Sequence, residues 1–299
     1  MTKKIKTIIL VVTSVALLIY WGALAVTNTK YQLINYWWQA FLAVAAVLYG
    51  IFGLLSAKHW SWLKSGVGKS VFSISIGLIL WGFGQAVWTY YVIKYPQQQS
   101  PTTHLMDVLY FSSLPLWAYG IFILSKASGA RYGLKGRWPK IFVIVMSLVM
   151  LIVSYVILVN VARGGTIYFH EGKSFWDIFF DLGYAVGDVV NLIMVMTIYA
   201  LSWRYLGGRF KLPIILILVA FVLLYVADFW YSYLNAQNTY YNGDWVDLTY
   251  LLTIATFGLG LCLLDPSDIR EATNLSDHLV SSSSNPNITD TSTFDGGQT

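Results

Sequence analysis

Eight long apolar stretches limit the fold of this chain more than any other feature of the sequence. A helix that crosses a bilayer needs about 20 predominantly apolar residues. The connections between the stretches are short, so neighbouring spans are expected to pack as antiparallel hairpins. We predict an all-α, polytopic membrane helix bundle over residues 1–264. Its eight spans are expected at approximately 7–26, 33–55, 70–93, 107–125, 140–161, 176–202, 212–235 and 246–264.

The composition excludes several other classes of protein. Only 11% of the residues are charged and 57% are apolar, whereas about a quarter of the residues in soluble proteins are charged. Cys262 is the only cysteine, which rules out an intramolecular disulfide and a cysteine metal cluster. The composition also argues against a nucleic-acid-binding module, and we expect the lipid bilayer to surround the protein.

The basic residues of the loops indicate the orientation in the membrane. Fifteen of the 19 Lys and Arg residues fall on the side that holds both chain ends, and the other four, Lys30, Lys94, Arg163 and Lys173, fall on the opposite side. Cytoplasmic loops carry the excess of Lys and Arg. We therefore predict a multi-pass protein of the cell membrane with both termini in the cytoplasm.

The two ends of the chain need separate interpretation. Three lysines precede the first span, and Ala23-Leu24-Ala25 resembles a signal-peptide cleavage site. Because the apolar run is longer than a usual signal core, we expect a retained anchor, with cleavage as the alternative. Residues 265–299 are rich in Ser, Thr and Asn and carry six acidic residues against one basic residue. We predict a disordered, acidic cytoplasmic tail over these residues.

A short polar motif recurs in several of the predicted hairpins. The motif Asp-x-x-Tyr occurs at Asp107 and Tyr110, at Asp181 and Tyr184, and at Asp247 and Tyr250, in each case where the chain returns from the outside. Gln85 with Trp88 and Asp228 with Tyr231 occupy comparable places before the outer loops. Gly120 follows Asp107 at the same distance as Gly260 follows Asp247. We interpret these matches as a repeated two-helix unit.

Carboxylates within the predicted spans are the strongest functional signal. The sixth span carries Asp177, Asp181, Tyr184, Asp188 and Asn191 on one helix face. An Asp at the centre of a spanning helix costs roughly 2.5–3.5 kcal/mol on insertion scales. Asp188 and Asp228 have no basic residue within the spans to neutralise them. They either hold helices together as hydrogen-bonding groups or form a site for a ligand, a cation or a proton.

Aromatic residues beside these acids favour a site that opens to the outside. Trp88 and Tyr231 lie one turn from Gln85 and Asp228, and aromatic faces beside carboxylates suit organic cations. We predict a pocket whose floor holds the two central acids. Its candidate binding residues are Asp188, Asp228, Asp181, Gln85, Trp88, Tyr184, Tyr231, Asp107 and Asp247. The sequence makes no prediction about a metal.

The sequence lacks the residues that several membrane chemistries require. The last spans contain no Lys for retinal, the spans contain no His for haem, and neither a phosphate-binding loop nor a zinc-protease motif occurs. An intramembrane aspartyl protease remains an alternative because Asp188 and Asp228 lie on adjacent spans, but the Gly-x-Gly-Asp and Pro-Ala-Leu motifs of that family are missing. We expect a protein that is not an enzyme and has no cofactor.

The pattern resembles the eight-span membrane module found N-terminal to some bacterial diguanylate cyclases. The resemblance covers residues 35–264 and includes the stretch from Leu80 to Trp88, Asp107-Val108-Leu109-Tyr110, Gly187-Asp188, Ala227-Asp228 and Asp247-Leu248-Thr249-Tyr250. The sequence departs from the module at Pro101, six residues before Asp107, and at Tyr184-Ala185, where Tyr-Pro is common. The resemblance implies a sensory module, here expected to lack an output domain.

We therefore predict a receptor-like sensory module that binds a small ligand or cation from the outer side. Its signal would pass to a cytoplasmic signalling protein, because no catalytic domain is expected in this chain. A proton- or cation-coupled transporter and a non-catalytic membrane scaffold remain as alternatives, since unpaired membrane acids and repeats also occur in carriers.

Overall fold

The computed structural model describes residues 1–95, 104–127, 136–156, 159, 175–202 and 211–267. These residues form eight α-helices, one short 3-10 helix over Trp62–Lys64, and no strand, which confirms the all-α prediction for the described part of the chain. The helices are α1 (Lys3–Thr27), α2 (Leu33–His59), α3 (Gly66–Lys94), α4 (His104–Ala127), α5 (Arg137–Tyr155), α6 (Phe175–Ser202), α7 (Lys211–Ala236) and α8 (Trp245–Leu263).

Seven of these helices are long and apolar enough to cross a membrane, namely all except α6. Helix α6 is 28 residues long and includes a shorter apolar stretch, Val186–Ile198. The helices are thus those of an integral membrane protein, and the eighth span, through α6, stays a prediction. Residues Met1–Asp265 belong to one compact unit. The predicted disorder of the tail beyond residue 267 lies outside the described residues.

Local polar contacts set several helix ends. The Ser65 hydroxyl accepts a hydrogen bond from the amide of Gly68 at 2.9 Å and begins α3. The Asp244 carboxylate accepts from the amide of Trp245 at 2.6 Å and begins α8. Such caps satisfy amides that have no partner within the helix. Asn28 ends α1 in the left-handed conformation, with a φ of 49°, as a short polar side chain tolerates.

Six helices form a closed ring, which is the feature that positions the candidate site. Around the ring, α2 packs against α3, α3 against α4, α4 against α6, α6 against α7, α7 against α8, and α8 against α2. Helix α1 packs outside the ring against α2 and α8, and α5 packs outside against α6. The described side chains that face the interior of the ring therefore come from six different helices.

Aromatic side chains fill the centre of the ring near mid-membrane. Trp117 of α4, Phe221 of α7 and Phe257 of α8 are each at most 2% exposed. The Trp117 and Phe257 rings are stacked with centroids 5.6 Å apart, and Phe221 meets Phe257 edge-on at 4.7 Å. The indole N–H of Trp117 donates to the carbonyl oxygen of Ile74 on α3 at 3.2 Å. We call these three residues the aromatic plug.

The structure places the repeated residues in equivalent contacts. A Cβ atom at Gly120 would lie 3.2 Å from the carbonyl oxygen of Ser70, and one at Gly260 would lie 3.1 Å from that of Pro213. Ser70 precedes Gln85 by the same 15 residues that separate Pro213 from Asp228. The α3–α4 and α7–α8 hairpins are thus built on one pattern, in which glycine lets the two helices approach closely.

Candidate functional site

The half of the ring interior nearer the α7–α8 loop, which is the outer side in the predicted orientation, is polar, in contrast to the aromatic plug below it. Tyr110 of α4 and Asp228 of α7 interact electrostatically although their helices are not neighbours in the ring. Trp81 of α3 contacts the rings of both Tyr110 and Tyr250, with centroids 5.9 and 5.6 Å apart. These side chains therefore meet inside the ring. We call this region the outer basin; its residues are Gln39, Trp81, Gln85, Tyr110, Asp188, Asp228, Asp247 and Tyr250.

One chain of hydrogen bonds crosses the basin and ends at Asp247. The Tyr110 hydroxyl donates to Gln85 Oε1 at 2.8 Å, and Gln85 Nε2 donates to Gln39 Oε1 at 2.6 Å. Gln39 Nε2 then donates to Asp247 Oδ2 at 2.5 Å. All three donors point along the chain towards the Asp247 carboxylate.

Two further donors from the α7–α8 loop complete the surroundings of Asp247. The amide of Gly243 donates to Oδ2 at 2.6 Å, and the Tyr240 hydroxyl donates to Oδ1 at 3.2 Å. Burial, with a further contribution from Asp247, raises the pKa of Tyr240 well above its ordinary value, so this phenol stays protonated and remains a donor. Asp247 is 2% exposed. Its role in the basin is to hold α2, α8 and the loop together.

The Asp228 carboxylate has a single hydrogen-bond partner among the described residues. The Tyr250 hydroxyl donates to its Oδ1 at 2.6 Å, just as the equivalent Tyr110 donates to Gln85 in the other hairpin. The second carboxylate oxygen, Oδ2, makes no hydrogen bond within the described part of the chain. Asp228 and Tyr250 are half-buried.

Among the acids of the basin, the Asp188 carboxylate has the fewest hydrogen-bond partners. It lies within electrostatic range of Asp228, so the structure brings together the two central acids that the sequence singles out. It makes no hydrogen bond and no ion pair with any described residue. Two neighbouring carboxylates without a basic partner attract a cation or share a proton.

Asn191 lies one turn further along α6 than Asp188. It follows Tyr184 by seven residues, as Trp117 follows Tyr110 and Phe257 follows Tyr250, so it lies at the level of the aromatic plug. Asn191 is 2% exposed, and neither its Oδ1 nor its Nδ2 has a hydrogen-bond partner in the described part of the protein. An unpaired buried amide costs roughly 1–3 kcal/mol.

The other predicted site residues lie around the basin rather than on its floor. The Tyr184 hydroxyl donates to the Asp107 carbonyl oxygen at 2.9 Å and to its Oδ1 at 3.2 Å, which joins α6 to α4. Trp88 and Tyr231 meet edge-on with centroids 6.0 Å apart near the outer end. Asp181 lies on α6, and its side chain is outside the described residues, as is that of Asp177.

The α7–α8 loop was not predicted to contribute, although it closes one side of the basin at the outer end. Tyr240 contacts the rings of both Tyr231 and Trp88, at 4.9 and 6.3 Å. The indole N–H of Trp88 donates to Oδ1 of Asn242 at 3.0 Å. A Tyr-rich outer loop is typical of any membrane interface, so composition alone did not distinguish these contacts.

A second polar cluster, at the inner ends of the helices, was also missed. Lys6 Nζ lies 2.5 Å from Asp265 Oδ2 and 2.7 Å from the Ser56 hydroxyl, and His59 Nδ1 lies 2.8 Å from Asp265 Oδ1. Lys6 and Asp265 are at most 2% exposed. Asp265, the first residue of the predicted tail, is also the last residue of the compact unit and neutralises a buried lysine of α1.

The chemistry that the basin can support is therefore binding by charge and hydrogen bonds. Among the described residues, no group of three or more His, Cys, Asp or Glu side chains is placed to hold a metal ion. Comparison with known protein families, with curated proteins and with solved structures finds no match to this chain. The interpretation of the basin thus depends on its geometry.

Proposed function

We propose that this protein is a receptor-like sensory module of the cell membrane that binds a small organic cation in the outer basin. The observation that carries the proposal is the pair Asp188 and Asp228, two carboxylates in electrostatic range with no ion-pair partner among the described residues. A cation between them would remove their mutual repulsion and the cost of placing charge within the membrane.

The walls of the basin favour an organic cation over a bare metal ion. The Trp81 ring lies within contact distance of the rings of both Tyr110 and Tyr250, and Tyr250 donates to Asp228. Aromatic faces attract ammonium groups by roughly 0.5–2 kcal/mol, most strongly where water is excluded. A hard metal ion needs about six or more oxygen ligands, and no group of three or more His, Cys, Asp or Glu side chains is assembled for one among the described residues.

The closed inner half supports sensing rather than conduction. The aromatic plug fills the ring directly below the basin and is at most 2% exposed. A ligand that entered from the outer side would meet this barrier near mid-membrane. Binding would then be transmitted by shifts of the helices to a cytoplasmic partner, on the side where the basic loops are predicted.

A transporter is the second candidate, and the repeated hairpins favour it. Parallel repeats related by an axis along the membrane normal occur in several carrier folds, with the substrate near mid-membrane at the repeat interface. The α3–α4 and α7–α8 hairpins face one another across the basin in this manner. In a carrier, the aromatic plug would have to open to the inner side.

The test uses the full chain in lipid nanodiscs with methylammonium and tetramethylammonium as probes. We expect saturable binding by calorimetry that is lost in Asp188→Asn and in Asp228→Asn, because Asn keeps the size and removes the charge. The matched control is Asp244→Asn, an outer-end acid that caps α8 outside the basin, and its binding should equal that of the wild type.

Two further outcomes separate the alternatives. Accumulation of labelled methylammonium in proteoliposomes, abolished by the same two substitutions, would favour the carrier over the sensor. Absence of binding by both probes to the folded wild type would overturn the cation site and leave the scaffold.

A further inference from the structure

Trp81 differs from the other buried tryptophans in its hydrogen bonding. The indole N–H groups of four buried tryptophans have a protein acceptor: Trp21 donates to Asp244, Trp38 to Leu17, Trp88 to Asn242 and Trp117 to Ile74. Trp81 is 6% exposed, yet its N–H has no acceptor among the described residues. Buried Trp N–H groups usually find a partner, but the Trp81 N–H is not among the enclosed atoms of the described residues that lack one, so this donor is accessible to a bound molecule.

The Trp81 side chain lies in the wall of the outer basin. Its ring contacts Tyr110 on one side and Tyr250 on the other. Tyr250 in turn donates to Asp228. A molecule bound beside Asp228 would therefore lie next to an aromatic wall that also carries an unused hydrogen-bond donor.

Asn191 provides a second unused polar group at the floor of the same region. Its amide is enclosed and unpaired, and its helix register places it one turn below Asp188. Hydrogen-bonding groups left unpaired inside a protein are costly. Two such groups around one pair of carboxylates indicate a ligand that offers hydrogen bonds as well as positive charge.

We propose that the ligand is a hydroxylated amine, and that Trp81 and Asn191 are the residues that select for its hydroxyl group. This inference rests on the cation site proposed above and specifies its ligand class. The ammonium group would lie between Asp188 and Asp228, and the hydroxyl oxygen would accept the Trp81 N–H. The hydroxyl proton would be donated to Asn191 Oδ1 after a small local rearrangement that opens the enclosed amide.

The physical basis of this selectivity is the penalty for leaving polar groups unpaired. A site built to hydrogen-bond a hydroxyl group discriminates strongly against the analogue that lacks it, because the site's own donors then remain desolvated and unpaired. A purely apolar wall would tolerate both amines about equally. Selectivity for the hydroxyl group therefore distinguishes a ligand-reading Trp81 from a tryptophan that only fills space.

The experiment compares two matched pairs of probes, ethylamine with ethanolamine and tetramethylammonium with choline, on the full chain in nanodiscs. We expect the hydroxylated member of at least one pair to bind about tenfold more tightly to the wild type. In Trp81→Phe, which keeps an aromatic ring and removes the N–H, this preference should fall to about twofold or less, while binding of the non-hydroxylated amine persists.

Asn191→Leu gives an independent readout that does not depend on the behaviour of the Trp81 variant. Leu has the branched shape of Asn and no polar group to satisfy, so the ligand-free protein should unfold at a higher temperature than the wild type. The same variant should lose preference for the hydroxylated amine. A residue with only a structural role would not combine higher stability with lower selectivity.

The possible results separate this inference from the function on which it rests. Equal affinity for both members of each pair, with binding still dependent on Asp188 and Asp228, would overturn the hydroxyl selectivity and leave the cation site intact. Unchanged preference in both Trp81→Phe and Asn191→Leu would also overturn it. Absence of binding by all four probes would refute the cation site and the hydroxyl selectivity together.

Discussion

The indole ring of Trp117 lies stacked on the phenyl ring of Phe257, with centroids 5.6 Å apart and planes 18° apart. Each residue precedes its repeat glycine, Gly120 or Gly260, by three positions. The two hairpins thus meet through equivalent side chains at the centre of the ring. This contact both completes the aromatic plug and gives the outer basin its floor.

We expect Phe257→Ala to destabilise the protein by about 3–5 kcal/mol, because it leaves a cavity beneath the basin that Trp117 and Phe221 cannot fill. The matched control is Phe142→Ala on α5, whose side chain is 46% exposed and should cost less than about 1 kcal/mol. Reversible unfolding in detergent, followed by tryptophan fluorescence, measures both. Equal losses would show that the plug contributes no special stability.

The acids of the basin should differ sharply in their contribution to stability. Asp247→Ala removes the acceptor for Gln39, Gly243 and Tyr240, and each buried donor left unpaired costs about 1–3 kcal/mol. We expect a total loss of about 3 kcal/mol or more. Asp188→Ala removes no hydrogen bond to a described residue and should cost less than about 1 kcal/mol. The reverse order, measured in the same detergent assay, would contradict the roles assigned to these two residues.

The buried pair of Lys6 and Asp265 should be intolerant of the loss of one partner. Asp265→Leu leaves the Lys6 ammonium group buried beside Ser56, and breaking such a pair costs about 3–5 kcal/mol. The double variant Lys6→Met with Asp265→Leu should recover most of this loss, because no uncompensated charge remains. A double variant no more stable than Asp265→Leu alone would indicate that the pair acts only through its geometry.

Truncation separates the contribution of Asp265 from that of the following residues. A chain that ends after Ser267 retains the contacts of Asp265 with Lys6 and His59 and should unfold at nearly the wild-type temperature. A chain that ends after Leu264 should lose stability to about the same extent as Asp265→Leu, about 3–5 kcal/mol. Insertion and thermal unfolding of the two truncated chains in detergent provide the measurement.

Reporter fusions test the predicted orientation. Because 15 of the 19 basic residues lie in the loops and ends assigned to the cytoplasmic side, a reporter at Thr299 should be cytoplasmic and one inserted at Gln98 should lie outside. The same side for both reporters would refute the eight-span arrangement. This experiment also decides whether α6 crosses the membrane.

Much of the architecture follows from the sequence because each spanning helix must satisfy its own backbone within the bilayer. The approximate helix positions and the hairpin repeat could be read from apolar length and from motif spacing. The helix ends differ by a few residues; α3 begins at Gly66 rather than near residue 70, because the Ser65 cap begins the helix before its apolar part. The expected proximity of Asp188 and Asp228 followed from the need of both acids to avoid lipid.

The local sequence pattern could not show which polar residues form hydrogen bonds with one another. Asp107, Asp181 and Asp247 look alike in the sequence, yet Asp247 accepts hydrogen bonds from Gln39 on α2 and from the α7–α8 loop, contacts between residues as far as 208 positions apart. The unpaired states of Trp81 and Asn191 are likewise properties of the packed ring. The contact of Asp265 with Lys6 was also not predicted, since the two residues lie at opposite ends of the chain.

The sequence by itself determined that this chain forms apolar membrane helices in repeated hairpins and that it places acids within them. These properties depend on hydropathy and spacing, which are local. Only the tertiary structure decided that six helices close into a ring, that Asp247 is satisfied while Asp188 is not, and that an aromatic plug separates the basin from the inner side. Those properties depend on which side chains meet across the ring, and hydrogen-bond satisfaction is decided by these long-range contacts.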